Sequence, residues 1–372
     1  IRAGGRVTGR SGPYSIGLLN IQTGDSASGD ALSTNFSVVR VKRDMLRRSN
    51  FGVIYTRRSR LEDGPGVNQV YGADLNLRFY ENINFTNYYA QTETLGLAES
   101  NASYRSKFDY TGDLYGFNAE HLTVGKNFNP EIGFVRRDNF RRNFAQFRFS
   151  PRPRSIPWLR RMIYQGSFDY ITDMTGSLET RESKLRLEME LENSDRWYLQ
   201  YTDSFEGLPE EFKLTSDVIL PVGGYSFGQL RTEYDFGAQR RVSGRLFYTR
   251  GTFYSGTRSD VGYQGRAVFT PQLAIEPRIS VSDVDLPQGS FITTLLGTRA
   301  SFTVSPRMFL AALLQFNSSS KAVDTNIRFR WEYEPGSDLF IVYSDGRDTG
   351  LEGFPRLENR SFVVKFTRLF RF

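Results

Sequence analysis

The chain has 372 residues, with 48 Lys and Arg against 41 Asp and Glu, a net charge of +7, one His and no Cys. Without Cys there is no disulfide framework, no thiol nucleophile and no Cys-based zinc or iron–sulfur site, and a single His excludes a His-rich metal site. No run approaches the roughly 18 consecutive apolar residues of a membrane-spanning helix, yet 31 Phe and 20 Tyr are many for a chain with so little other apolar content.

The opening Ile1-Arg2-Ala3-Gly4-Gly5 has neither the charged start nor the apolar centre of a secretory signal. It reads as the inside of a structured element, and the chain as a mature or trimmed segment of something longer. Period two then runs along the chain. Tyr71, Ala73, Leu75, Leu77 and Phe79 alternate with Gly72, Asp74, Asn76 and Arg78. Leu185, Leu187, Met189 and Leu191 alternate with Lys184, Arg186, Glu188, Glu190 and Glu192. Leu273, Ile275, Ile279 and Val281 oppose Gln272, Glu276, Arg278 and Ser280, and Ile327, Phe329, Trp331 and Tyr333 oppose Arg328, Arg330 and Glu332. Each such segment predicts a strand with one apolar and one charged face, because side chains of a strand point alternately to opposite sides. No segment of comparable length carries a helical stripe, so the chain is predicted to be all-β.

The connections fall into two classes. Short, turn-like ones lie at 10–13, 47–50, 81–84, 111–113, 192–195, 237–240, 270–272, 305–307 and 334–337. Long polar ones, rich in Gly, Pro and Asp, lie at 24–34, 60–68, 94–101, 125–139, 205–224, 251–260, 283–290 and 345–360. Residues 150–161 form a long member of the short class and 318–320 a short member of the long class. Short and long alternating along strands of about ten residues predict a transmembrane antiparallel up-and-down β-barrel of a Gram-negative outer membrane. Hydrocarbon leaves no partner for an open backbone, so such a sheet must close on itself. A soluble propeller or sandwich buries its apolar faces but leaves the repeated charged faces unexplained. The count is 21 strands. Short turns and the C-terminus are expected in the periplasm, and an even total calls for one upstream ascending strand, giving about 22. The N-terminal domain and that strand are expected outside this chain.

The C-terminus reads Ser361-Phe-Val-Val-Lys-Phe-Thr-Arg-Leu-Phe-Arg-Phe372. Its alternating aromatics, Phe366, Phe370 and Phe372, resemble the assembly signal read by the outer-membrane insertion machinery, an expected partner. Longer stretches carry a second resemblance: the segments 5–24, 40–50, 128–137 (FNPEIGFVRR), 149–154, 331–340 (WEYEPGSDLF) and 359–365. They look like the C-terminal barrel of an outer-membrane protein family of unknown function, whose barrel follows an N-terminal module similar to the carbohydrate-binding family 9 domains. The resemblance covers essentially the whole chain. It implies location, a barrel and a link to surface glycans, and no established activity.

Alternation turns Asp74, Asn76, Arg78, Lys184, Arg186, Glu188, Glu190, Arg328, Arg330 and Glu332 toward the lumen, with mixed signs that form no single-sign selectivity ring. The long segments 205–224, with Phe205 and Phe212, and 125–139, with Phe128, Phe134 and Arg136, are apolar enough to pack on something, and read either as gates over the pore or as a sugar or peptide surface. In the basic turn 150–161, Arg152, Arg154 and Trp158 read as a periplasmic interfacial anchor or a dock for a periplasmic protein. Outer-membrane lipid and lipopolysaccharide are expected partners; nucleic acid is not, since the basic residues alternate with acids or sit in turns. His121 shares a face with Tyr115, Phe117 and Ala119 and has no identifiable Ser and acid partner, so no catalytic residue, metal or cofactor is assigned. The expected function is a pore or translocation conduit occluded by loops or by the missing N-terminal region, and the family resemblance links it to surface glycan handling. The alternative is a structural outer-membrane anchor or scaffold subunit, and a barrel-borne hydrolase is a distant third.

Overall fold

The computed structural model describes all residues except 26–31, 61–65, 351–352, 354 and 371–372. Among the described residues there are 23 strands. The first nine are β1 (Ala3–Ser11), β2 (Tyr14–Gln22), β3 (Thr34–Met45), β4 (Ser49–Arg60), β5 (Val67–Phe79), β6 (Ile83–Thr94), β7 (Ala102–Thr111), β8 (Tyr115–Val124) and β9 (Phe140–Phe149). Next come β10 (Leu159–Asp173), β11 (Leu178–Leu191), β12 (Arg196–Leu208) and the short β13 (Phe212–Lys213) and β14 (Ile219–Leu220). Then follow β15 (Gly223–Phe236), β16 (Val242–Phe253), β17 (Gly256–Val268), β18 (Leu273–Leu286), β19 (Gly289–Ser305), β20 (Met308–Asn317), β21 (Ala322–Glu334), β22 (Ser337–Asp348) and β23 (Arg356–Thr367). Twenty-one of them belong to one antiparallel sheet, the number the alternation predicts, and β13 and β14 pair only with each other. This is the up-and-down fold class of the transmembrane β-barrels.

The chain divides into two compact units: 1–150 with 165–184 and 205–207, and 151–164 with 185–204 and 208–372. In the first, β1 to β9 pair each with the next. The register places Lys42, Gly52, Asp74, Tyr88 and Arg105 in one row, and Val53, Ala73, Tyr89 and Tyr104 in a row on the opposite face. On the polar face Arg40 reaches Asp74 at 2.5 Å. Gly52 leaves room for that pair, since a Cβ there would come within 2.6 Å of the Arg40 guanidinium and 2.9 Å of the Asp74 carboxylate.

In the second unit β15 to β23 pair in sequence order. Leu246, Tyr263, Ile279, Leu296 and Phe316 form one row of the apolar face. Arg245, Gln264, Arg278, Gly297, Gln315 and Asp324 form the adjoining row of the polar face. The apolar face is open: Val53 is 42% and Ile279 45% exposed. Every residue of β1 and of β23 is exposed, whereas the other sheet strands contain many half-buried positions.

Three connections differ from the sequence reading. Segments 251–260 and 283–290 are tight hairpins, because pairing continues to Phe253↔Gly256 and Leu286↔Gly289. Their polar, Gly-bearing composition imitates a loop while the backbone stays in the ladder; Tyr254 at φ 49° and Gly289 at φ 143° make the sharp reversals. Residues 174–177 close a turn between β10 and β11 that the sequence reading places in neither class; in the alternation it takes a long position.

Adjacent short turns of the second unit are tied by Asp195, which is 1% exposed. Its carboxylate accepts hydrogen bonds from the Gly237 amide at 2.7 Å, the Tyr234 hydroxyl at 2.8 Å and Arg240 at 2.7 Å. Burial pushes its pKa up, but the Gly237 amide, the Tyr234 hydroxyl and Arg240 outweigh that and hold it below the usual carboxylate range. A depressed native pKa contributes stability that is present above the unfolded value and lost as pH falls through the native one. Asp195→Asn should therefore destabilise the folded protein by about 1–3 kcal/mol at neutral pH. In urea unfolding in detergent, the difference between variant and wild type should shrink progressively below about pH 4.

Candidate functional site

Two long connections fold back over the polar face, one in each unit. In the first, residues 125–139 leave β8 through Gly125, whose Cα packs so closely on the Ser100 carbonyl that a side chain has no room. The segment then lies along β4 to β6. Asn68, 1% exposed, donates through its side-chain amide to the Asn129 carbonyl at 2.8 Å and accepts from the Glu131 amide at 3.2 Å. Thr92, fully buried, donates to the Asn127 carbonyl and accepts from the Asn129 amide, both at 3.3 Å. Arg58 pairs with Glu131. The register puts Arg58, Asn68 and Thr94 in one row of the polar face, so the connection is pinned on the side where alternation places the lumen. Beyond this anchor, Phe128, Phe134 and Arg136 border a concavity of about 620 Å³. Phe134 is 83% exposed and Arg136 is exposed.

In the second unit the hairpin of β13 and β14 packs Val218 and fully buried Leu220 against Leu208, Tyr254, Val284 and Leu286, with Phe227, Phe253 and Phe291 around them. Val284, Leu286 and Phe291 stand at polar-face positions, Val284 and Phe291 in one row with Arg258. Gly289 admits the hairpin, since a Cβ there would meet Val218 at 3.2 Å. Phe212 sits in this hairpin, exposed. Phe205 does not: it lies within β12, which runs on to Leu208, so it is a strand residue and not part of the connection.

The lumen candidates occupy polar-face positions and are largely paired. Asp74 holds Arg40, Lys184 lies 2.6 Å from Glu182, Arg186 lies 3.6 Å from Glu188 and stacks over Tyr198, and Glu190 holds Arg161 at 2.9 Å. Arg330 meets Asp338 at 2.8 Å, and Glu332 accepts from the Gly336 amide. The Arg78 amide donates to Ser49, and Asn76 stands two positions before it in the same strand. Arg328 is exposed, with no carboxylate within 4 Å among the described residues. Sequence reasoning missed Arg58, Asn68 and Thr92, since an Asn or Thr at polar-face parity looks like any solvated wall. The hairpin cradle did leave a signal, because Val284, Leu286 and Phe291 break the polar alternation.

At the short-turn end, Arg152, Arg154 and Trp158 are exposed, and the Trp158 carbonyl accepts from the Glu192 amide. Phe366 stacks on Tyr333 at 5.2 Å, and Arg368 covers Phe370, which lies beyond the end of β23. Phe372 lies outside the described residues. His121 is on the apolar face in a row with Ser106 and Asn143. Its Nδ1 meets Asn143 Oδ1 at 2.7 Å and its Nε2 meets Thr123 Oγ1 at 3.1 Å. Thr123 is 2% exposed, and β7 and β9 flank β8 throughout, so the ladder takes its amides. Asn143 and Thr123 thus order the ring, and partly exposed Ser106 stands opposite it in the same row.

No family model and no curated protein matches the chain. Among solved structures it is similar to Acinetobacter baumannii OccAB3, with 11% identity over 82% of this chain and 86% of that one and a TM-score of 0.36. It is also similar to a bacterial polysaccharide outer membrane secretin, with 12% identity over 77% of this chain and 83% of that one and a TM-score of 0.27. The anchor of the first connection has a direct test. Asn68→Ala strands the Asn129 carbonyl and the Glu131 amide, at about 1–3 kcal/mol. Hydrogen exchange across residues 126–139 should then accelerate by roughly an order of magnitude or more, with β5 and β6 unchanged.

Proposed function

We propose that the chain is the membrane-spanning part of a bacterial outer-membrane β-barrel that serves as a pore or translocation conduit narrowed from within. The observation that carries this reading is the folding of both long connections onto the polar face while the opposite face stays open and apolar. Hydrocarbon is the solvent that accepts such a face. Paired Tyr55 and Tyr71, and paired Tyr89 and Tyr104, supply a band of aromatic side chains toward the long-connection end, as membrane interfaces favour. In this reading one upstream strand completes the barrel, the short turns and C-terminus face the periplasm, and Phe366, Phe370 and Phe372 address the insertion machinery. Arg152, Arg154 and Trp158 rest at the inner headgroups or meet a periplasmic protein, and lipopolysaccharide surrounds the outer rim. Exposed Phe134 and Arg136 offer an aromatic and cationic surface suited to glycans, to which the family resemblance links the barrel. The proposed activity is passage, without catalysis.

A scaffold role is the second reading. The dry contact of Leu220 and Val218 beneath the β13–β14 hairpin suits a permanent plug more than a gate. Planar-bilayer recordings separate the two. The full-length protein and a variant lacking residues 209–222 are compared, the deletion sparing the β12 residues up to Leu208. A conduit gives discrete conductance steps that enlarge or first appear in the deletion. Silence from both, with normal folding, contradicts the conduit and supports the scaffold.

A further inference from the structure

On the polar face of the second unit, most arginines are neutralised. Arg245 meets Asp235 at 2.7 Å, Arg258 meets Asp260 at 2.9 Å and Arg330 meets Asp338 at 2.8 Å. The wall formed by β17 to β20 differs. Its register sets Gln264, Arg278, Gly297 and Gln315 side by side, and Arg266, Glu276, Arg299 and Leu313 in the next row. Together these residues border one concavity of about 530 Å³. Gly297, without a side chain beside Arg278, helps open it.

Arg278 is held by a neutral partner. Its Nε and Nη2 donate to Gln264 Oε1 at 3.2 and 2.7 Å, which aims the guanidinium without cancelling its charge. Arg299 is exposed and, among the described residues, neither it nor Arg278 has a carboxylate within 4 Å. Glu276, which borders the same concavity, engages Arg266, and only at 3.8 Å. An aimed guanidinium and a second exposed one, neither with a carboxylate within 4 Å, stand at one hollow and suit the fork geometry by which arginine takes up a carboxylate or phosphate.

We infer that this hollow is a binding station for solutes bearing a carboxylate or phosphate group, with Arg278 and Arg299 as the anion-holding residues and Gln264 positioning Arg278. The inference rests on the water-filled polar face of the conduit reading, but binding to the station requires no passage of solute. Titration calorimetry of the full-length protein in detergent at low salt tests it, with citrate as the carboxylate probe and inorganic phosphate as the other. At least one probe should bind the wild type, and which one does identifies the anion class. Arg278→Gln with Arg299→Gln should weaken that binding by roughly tenfold or more, while Arg330→Gln, at a neutralised position, should leave it within about twofold. If the double variant fails to fold, Arg299→Gln alone carries the comparison. Absence of binding by both probes, or equal weakening by Arg330→Gln, overturns the inference. Conductance has no part in this readout, so a sealed barrel that still binds anions refutes the conduit and keeps the station.

Discussion

The ladder that satisfies the backbone of a strand also sorts its side chains into two faces, and everything else in this protein depends on that coupling. Lys42, Asp74 and Arg105 fall into one row only because Val53, Ala73 and Tyr89 fall into the other. Slipping any strand by one residue would exchange the faces. Water disfavours the apolar face by about 25 cal/mol per Å² of exposed apolar surface, and with Val53 and Ile279 nearly half exposed the cost repeats along the whole sheet. A hydrocarbon solvent removes it, and that is the ground for the membrane reading.

The polar face then has two ways to be stable. One is mutual neutralisation. Glu120 is shared by Arg105 at 2.5 Å and Arg142 at 3.2 Å, and Arg142 also forks onto Asp169. The other is coverage by chain. Asn68, Thr92 and Arg58 hold 125–139, and an apolar cradle holds the β13–β14 hairpin. The stretch around Arg278 and Arg299 uses neither, and there two such arginines border one hollow.

Much of this was legible in the residues. The strand number, the all-β class and the short turns follow from period two, because alternation is a local property that each segment carries by itself. The lengths of the long connections were less legible. The 251–260 and 283–290 segments carry loop composition, but Thr252↔Thr257 and Asp285↔Ser290 still pair, and pairing depends on the neighbouring strand. Phe205 was misplaced for the same reason. The candidate gates were found as apolar loops, while their docking partners were not, since Asn68 and Thr92 acquire their role only from a segment some 35 to 60 residues away. The contrast between neutralised and free arginines is likewise spatial: Arg278 and Arg330 occupy equivalent positions in their alternating patterns.

The central claim is that one face of the sheet meets lipid and the other meets water. Nitroxide labels placed singly at Val53, Ala73 and Ile279, and at Asp74, Gln264 and Arg278, in protein reconstituted into lipid vesicles, address it directly. The account predicts that the first three favour collisions with oxygen and the second three with a water-soluble nickel chelate, alternating residue by residue along β5 and β18. Equal access of the chelate to both sets would contradict it.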